Sequence, residues 1–518
     1  MSEAALLEQK VKELEAQLEQ KEALLHSRAQ RISTLEELIK QFNRKQFSAS
    51  SEKLSQDQLA LGLFNEAEST DEDEAAETES TDSEPEDTVE VPAHQRRRKP
   101  RVSLPSHLPR EEVLYELSES ERVCPHDGTE LKAIGTEDHE QLEIIPAQAK
   151  VIVHRRQKYV CPCCEQHHAT APKPKQPIEK SIAGPGMLAY VATQKYCDAL
   201  PLYRQSEIFK RAGLELDRTN LANWMIRCGE LAQPLINLLH EKLLEQPVIH
   251  LDETTVQVLN EPGKSAESQS YMWVMGSFSA SPAVLFHYAD SRRQSVPLDL
   301  LDESVGAIMV DGYEGYEKAC QQYNITRIGC WAHARRKLMD AKAVQKKGKT
   351  GKADQGLAFI QKLYALEKAI KGQPPDERYR RRQQEAQPVI DKLRAWLEKS
   401  LPQVPPQTAI GKALHYLHTQ WHRLVRYLDD GAYPIDNNRA ENAIRPFTVG
   451  RKNWLFANSQ AGAKASANLY SLIETAKANG LNPYEYLKTV FKELPNAQSV
   501  EAIDTLLPWN VSTNPNWS

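Results

Sequence analysis

Three acids stand where carboxylates can do metal-assisted chemistry. Asp252 follows the apolar run Val248-Ile249-His250-Leu251, and Asp311 follows Ile308-Met309-Val310. Glu441 lies in Asp436-Asn437-Asn438-Arg439-Ala440-Glu441-Asn442-Ala443-Ile444-Arg445, a helical segment rich in Asn and Arg. Carboxylates are hard oxygen ligands for Mg²⁺ (or Mn²⁺), and they leave room in the shell for phosphate and water. Two such ions about 4 Å apart activate an attacking hydroxyl and stabilise the leaving oxygen of an in-line displacement at a phosphodiester. Singly, each acid has an ordinary reading as a strand end, a turn or a solvent-facing helix residue. Together, Asp252, Asp311 and Glu441 form a candidate catalytic set for cutting DNA.

The elements that must position them are legible. In residues 246–334 the pattern predicts strands over 248–258, 271–278, 283–288, 307–311 and 326–330, with short helices over 291–301 and 314–322. Three hairpin-connected strands followed by alternating helix and strand is the order of an RNase H-like α/β fold. In that fold the first and fourth strands are neighbours, so Asp252 and Asp311 come together. Residues 335–435 read as a helical insertion, residues 436–490 return to the core with Glu441, and 491–518 form a tail.

Arg445, four residues after Glu441, shares its helix face and can hold the scissile phosphate. Asn437, four residues before it, can hydrogen-bond on the same side. Arg451 and Lys452 are candidates to track the DNA backbone, and Trp454 either stacks on bases or belongs to the core. The basic cluster Arg378-Tyr379-Arg380-Arg381-Arg382 either bears on DNA or braces the insertion. Cys330-x-x-His333 has the spacing of half a metal site, but a packed strand-to-helix junction is the preferred reading.

The chain has 518 residues, too many for one core, so several domains are expected. Net charge is −6, yet residues 66–90 alone carry 13 acids and no Lys or Arg, so the rest is net positive, as a nucleic-acid partner requires. No apolar run approaches the ~18 residues of a membrane span, and the charged N-terminus lacks a signal-peptide centre. The eight cysteines do not form a disulfide framework.

Residues 1–46 carry heptad-spaced Leu7, Val11, Leu14, Leu18, Leu25, Ile32, Leu35, Ile39 and Phe42, predicting a coiled coil that joins copies of the chain. An acidic, then basic, disordered linker is expected over 47–110. In 111–178, Cys124, Asp127, Cys161 and Cys164 fall near the spacing of a zinc ribbon, with Asp127 where a second Cys would complete the first pair. His126, Cys163, His167 and His168 are further candidate ligands. Residues 179–245 are predicted helical, a helix-turn-helix-like domain in which Arg204, Lys210 and Arg211 are candidate DNA contacts.

The chain resembles the insertion-sequence-66 family of transposases from its N-terminal coil to about Leu487. The likeness rests on Leu200-Pro201-Leu202-Tyr203-Arg204-Gln205, His250-Leu251-Asp252-Glu253-Thr254, Asp311-Gly312-Tyr313 and Cys330-Trp331-Ala332-His333-Ala334-Arg335-Arg336. Asp436 to Arg445, continuing to Gly450-Arg451-Lys452-Asn453-Trp454-Leu455-Phe456, is the longest shared block. The resemblance implies a D-D-E strand-transfer enzyme with a zinc-binding segment, acting at the ends of a bacterial mobile element. It further implies small companion proteins and a cytoplasmic, nucleoid-associated location. Asp127 departs from the family's paired cysteines. Two other readings are a non-enzymatic DNA-binding regulator and an RNase H-like structure-specific nuclease.

Overall fold

The computed structural model describes residues 148–160, 167–279, 281–345 and 350–511, with single residues nearer the N-terminus. The expected coil and linker, isolated positions apart, lie outside the described residues, as do Cys124, Asp127, Cys161 and Cys164. The chain divides into two compact units. In the smaller, which takes in residues 76–174, β1 (Lys158–Val160) pairs antiparallel with β2 (His168–Thr170), setting Lys158 opposite Thr170. Cys161 and Cys164 fall between these strands in sequence.

The larger unit begins with α1 (Pro185–Tyr196), α2 (Leu202–Arg211) and α3 (Arg218–Leu244). Gly213 turns the chain between α2 and α3 with φ +81°, a left-handed conformation open to glycine without steric cost. The pair therefore has the expected helix-turn-helix order. At 27 residues, however, α3 is much longer than a recognition helix, and Leu221, Met225, Cys228, Ala232, Leu235 and Leu239 form a buried stripe along it. This stripe shares one hydrophobic cluster with the sheet, so residues 179–245 pack as a wall of the core.

The sheet runs β5-β4-β3-β6-β7. Its strands are β3 (Val248–Asn260), β4 (Gln269–Ser277), β5 (Ala283–Ala289), β6 (Ala307–Val310) and β7 (Thr326–Gly329). The first three are antiparallel, whereas β3, β6 and β7 are parallel. All five expected strands are found within two residues of their predicted bounds. The two predicted helices are α4 (Ser295–Leu300) and α5 (Glu317–Gln322), the latter preceded by a 3-10 turn at Glu314–Tyr316.

Side-chain alternation splits the core in two. Ile249, Leu251, Ile308 and Val310 face a cluster that includes α3 and α12 (Gln460–Ala478). Val248, Ala307, Met309 and Ile328 face a second cluster on the opposite side. That second cluster is built by α6 (Trp331–Val344) and the insertion helices α7 (Lys352–Ala369), α9 (Gln387–Ser400) and α10 (Ala409–Leu424), while α8 (Pro375–Arg381) buries no residue in it. The chain returns through α11 (Asn438–Trp454) and β8 (Ala457–Ser459), which pairs with the far end of β3. After α12, α13 (Pro483–Glu493) and α14 (Val500–Asp504) complete the fold.

This packing turns Arg382 of the basic cluster 378–382 inward and leaves Tyr379 and Arg380 exposed. Arg382 is fully buried, Arg378 pairs with Glu367, Arg380 with Glu377 and Arg381 with Glu385. For Arg382, and for Arg378 on the same Glu367, the brace is the reading found. A DNA contact is excluded for Arg382 because burial and five hydrogen bonds consume its guanidinium.

Candidate active site

The parallel pairing of β3 with β6 sets Val248 opposite Ala307 and His250 opposite Met309. Carried two residues further, the register brings Asp252 level with Asp311. The same alternation that points Val248 and Ala307 toward the insertion points both acids toward that face. Asp311 is fixed by accepting from the Tyr313 amide at 2.8 Å, and Asp252 by accepting from the Glu253 amide at 2.9 Å.

Glu253 serves the motif from the other face. It accepts from Arg292 Nε at 2.6 Å and from the Tyr316 hydroxyl at 2.5 Å, with only 2 % of its side chain exposed. The Arg292 guanidinium lies 3.8 Å over the Tyr313 ring, and the Tyr313 hydroxyl donates to the Arg292 carbonyl. Asp-Glu-Thr and Asp-Gly-Tyr are thereby one connected network. Glu253 and Arg292 are positioning groups that sequence spacing alone did not single out.

The third acid arrives through Asn437. Its Nδ2 donates to the Leu251 carbonyl at 2.8 Å, so its Oδ1, 2.9 Å from His250 Nδ1, accepts the ring proton. Burial pushes the His250 pKa down to about 4, which keeps the imidazole neutral in that role. The Asn437 amide donates to Cys330 Sγ at 3.2 Å. These ties stitch the start of α11 to β3 and to the head of α6. Asn437 therefore binds the strand rather than lying beside Glu441 as the four-residue spacing suggested. Asp436 accepts from the Asn438 amide at 3.2 Å and the Tyr364 hydroxyl at 2.8 Å, an end-of-helix role. Glu441, in the first turn, is the acid turned to the site.

There Glu441 Oε2 pairs with Arg336 at 2.7 Å, and Oε1 lies 3.6 Å from His333 Nδ1. Both Oε1 and that ring nitrogen are buried without a hydrogen-bond partner. Buried polar atoms are almost always satisfied, so an orphaned carboxylate oxygen beside two further acids is where a cation fits. Cys330, His333 and Glu441 each place a ligand atom within 4.8 Å of the others. Burial first, then the Glu253, Glu441 and Asp311 charges, pushes Asp252 up to about 8. The three acids thus share one electrostatic neighbourhood.

This shift makes a stability prediction. Between the ordinary carboxyl value of 3.8 and about 8, the folded state holds a proton on Asp252 that the unfolded chain releases. Stability of the metal-free protein therefore falls as pH rises through that window. Asp252→Asn removes this contribution, so its melting temperature in chelator should exceed wild type increasingly toward pH 8. Parallel melting curves for the two proteins from pH 5 to 8 would refute the assignment.

The other sequence candidates are distributed. Arg445 is exposed one turn beyond Glu441. Arg451 bonds Thr254 Oγ1 at 3.1 Å and Thr255 Oγ1 at 3.0 Å, anchoring α11 to β3. Lys452 is exposed, whereas Trp454 packs edge-on against Phe447 at 5.4 Å, in the core reading. Arg204, Lys210 and Arg211 are exposed on α2. Arg336 was missed as a site residue, and His333, weighed with Cys330 as half a metal site but read as a packed junction, lies with Cys330 beside Glu441. The three-residue spacing of His333 and Arg336 on a helix that follows directly from β7 was the available signal.

A family model described as the Transposase IS66 family matches residues 180–465, the span that carries all three acids. The chain belongs to the IS66 transposase family. The IS66 C-terminal element matches residues 471–509, and the zinc-finger binding domain of transposase IS66 matches 121–165, which includes Cys124, Asp127, Cys161 and Cys164. A model described as Transposase C of IS166 homeodomain matches residues 34–113. Among curated relatives, the uncharacterized protein y4qI of Sinorhizobium fredii is 32% identical over 80% of this chain and 77% of its own length. The uncharacterized proteins y4jD and y4hP of the same organism are 31% and 29% identical over 79% and 92% of this chain, and over 81% and 88% of their own lengths. As an IS66 transposase the chain has DNA as its partner, and its family points to divalent metal and zinc. Among the described residues, no helix is long and apolar enough to cross a membrane.

Proposed function

We propose that the chain is a D-D-E transposase of RNase H-like fold that cuts the ends of a bacterial insertion sequence and joins them to target DNA. The observation that carries this reading is the convergence of Asp252, Asp311 and Glu441 on one face, with an orphaned Glu441 oxygen turned inward. The sheet order β5-β4-β3-β6-β7, with the third acid returning on a helix after an insertion, supports the fold assignment.

Asp252, Asp311 and Glu441 would hold Mg²⁺ (or Mn²⁺). When bound, that ion lowers the pKa of the attacking hydroxyl and neutralises charge on the leaving oxygen. In cleavage a water oxygen bonds to phosphorus as the bond to the 3′ oxygen breaks; in transfer the freed 3′ hydroxyl oxygen bonds to a target phosphorus as that phosphorus loses its bond to the target's own 3′ oxygen, which leaves protonated as a hydroxyl. Asp252 and Asp311 present their oxygens from adjacent strands, and Glu441 closes the third side. Arg445 holds phosphate on the outer face of α11, Lys452 follows the backbone, and Arg204, Lys210 and Arg211 meet more distant DNA. Arg451 acts by holding α11 on β3. Cys124, Asp127, Cys161 and Cys164 would hold structural Zn²⁺, and the N-terminal coil would join copies so that two ends are held together. Companion proteins of the same element and work at the nucleoid in the cytoplasm complete the proposal.

Incubating the protein with labelled element-end duplex and Mg²⁺ tests it. Cleavage followed by joining is expected. A regulator would do neither, and a structure-specific nuclease would cut without joining.

A further inference from the structure

Arg336 holds the third acid in an ion pair that competes with metal. Its terminal nitrogen is 2.7 Å from Glu441 Oε2, and 55 % of its side chain is exposed against 23 % for Glu441. It is therefore rooted on α6 with its head at the mouth of the acid cluster, where Asp252 adds to its field. A guanidinium bound to a carboxylate occupies lone pairs that a cation needs, and the same planar donor set matches a phosphate. The other Glu441 oxygen has no hydrogen-bond donor, because His333 Nδ1 stays 3.6 Å away. Glu441 is thus half engaged and half open, with an exposed competitor on the engaged side.

We propose that Arg336 is a positioning residue with two stations. Without DNA it pairs with Glu441; when a strand enters, its guanidinium passes to a backbone phosphate and both Glu441 oxygens become available. Completion of the acid set is thereby coupled to DNA entry. This inference rests on the reading of Glu441 as a metal-holding acid.

The test separates the two ideas and uses the full-length protein. Mn²⁺ affinity is measured by titration calorimetry without DNA, and binding of a nonspecific duplex is measured in chelator across salt concentrations. Arg336→Ala should tighten Mn²⁺ by about two- to fivefold, the size of one partly exposed ion pair. The same variant should weaken duplex binding and lower its salt slope by about one. Arg336→Lys should keep the salt slope while giving an intermediate metal affinity. A variant that merely disturbed the fold would weaken both, so tightening of one with loss of the other is the signature. Unchanged or weaker Mn²⁺ binding in Arg336→Ala, while Glu441→Gln weakens it, overturns the two-station role and leaves Glu441 as a metal-holding acid. If Glu441→Gln leaves Mn²⁺ affinity unchanged, the Glu441 reading falls and takes the inference with it.

Discussion

Glu441→Gln is expected to lower strand cleavage and joining by about a thousandfold or more, the scale of losing a group that acts only with its catalytic partners. The substitution keeps size and hydrogen-bonding shape but removes the charge. Because Oε1 has no hydrogen-bond partner and Oε2 has the half-exposed Arg336, little of the fold depends on that charge. The melting temperature should stay near wild type, and duplex binding in chelator should be intact. Asp252→Asn and Asp311→Asn should lose activity to the same degree, and pairs of these substitutions should lose little more than single ones. Asp436→Asn is the contrasting case. Its carboxylate caps α11 and accepts from Tyr364, so it should cost stability before activity. Full activity in any one of the three acid variants would remove that residue from the catalytic set.

Arg382→Met should destabilise the protein by about 3–5 kcal/mol, the usual cost of leaving one partner of a buried ion pair uncompensated. The guanidinium is fully buried and donates to both Glu367 oxygens at 2.8 and 2.7 Å. It also donates to the carbonyls of Tyr427, Asp430 and Tyr433 at 2.7, 2.8 and 2.9 Å. Three of those bonds hold the segment that leads from α10 back toward Asn437. Loss of Arg382 should therefore loosen the approach to Glu441 as well as the insertion. Arg382→Lys should recover less than half of the loss, since an ammonium has three donors and no planar fork. Chemical denaturation would read the shift, and a midpoint within error of wild type would refute the brace.

The contrast between these two residues shows what local sequence carries. Glu441 is readable as a candidate because its helix, its Arg445 at four residues and its place after a helical insertion are all properties of short segments. The strands were readable for the same reason: alternation over five to ten residues reports which face is buried, whatever lies against it. Register follows from that alternation, since a slip of one residue would turn every core side chain outward. Strand order puts Asp252 and Asp311 on neighbouring strands, and the β3–β6 pairing sets them level.

Arg382 was not readable. Five residues with four positive charges look alike whether they face a polyanion or a set of buried carbonyls, because the distinction depends on Glu367, Tyr427, Asp430 and Tyr433, all distant in sequence. The role of α3 as a wall of the core was not readable either. Its Gly229 lies against Ala465, where an added Cβ would come within 2.5 Å of the Ala465 Cα, and nothing local announces that neighbour. By sequence Arg451 is a candidate DNA contact and Trp454 is open between DNA and core, and it is the β3 threonines that engage Arg451 and Phe447 that engages Trp454.

The sequence by itself determined the sheet, the alternation of its faces, the three candidate acids and the family likeness, since each is written in spacing along the chain. Tertiary structure alone decided which charges are spent internally. It set Arg336 on Glu441, Glu253 on Arg292 and Tyr316, and Arg382 on the insertion's carbonyls. The reason is physical: the free energy of a charge depends on the desolvation and partners it meets in the fold, and those are long-range properties.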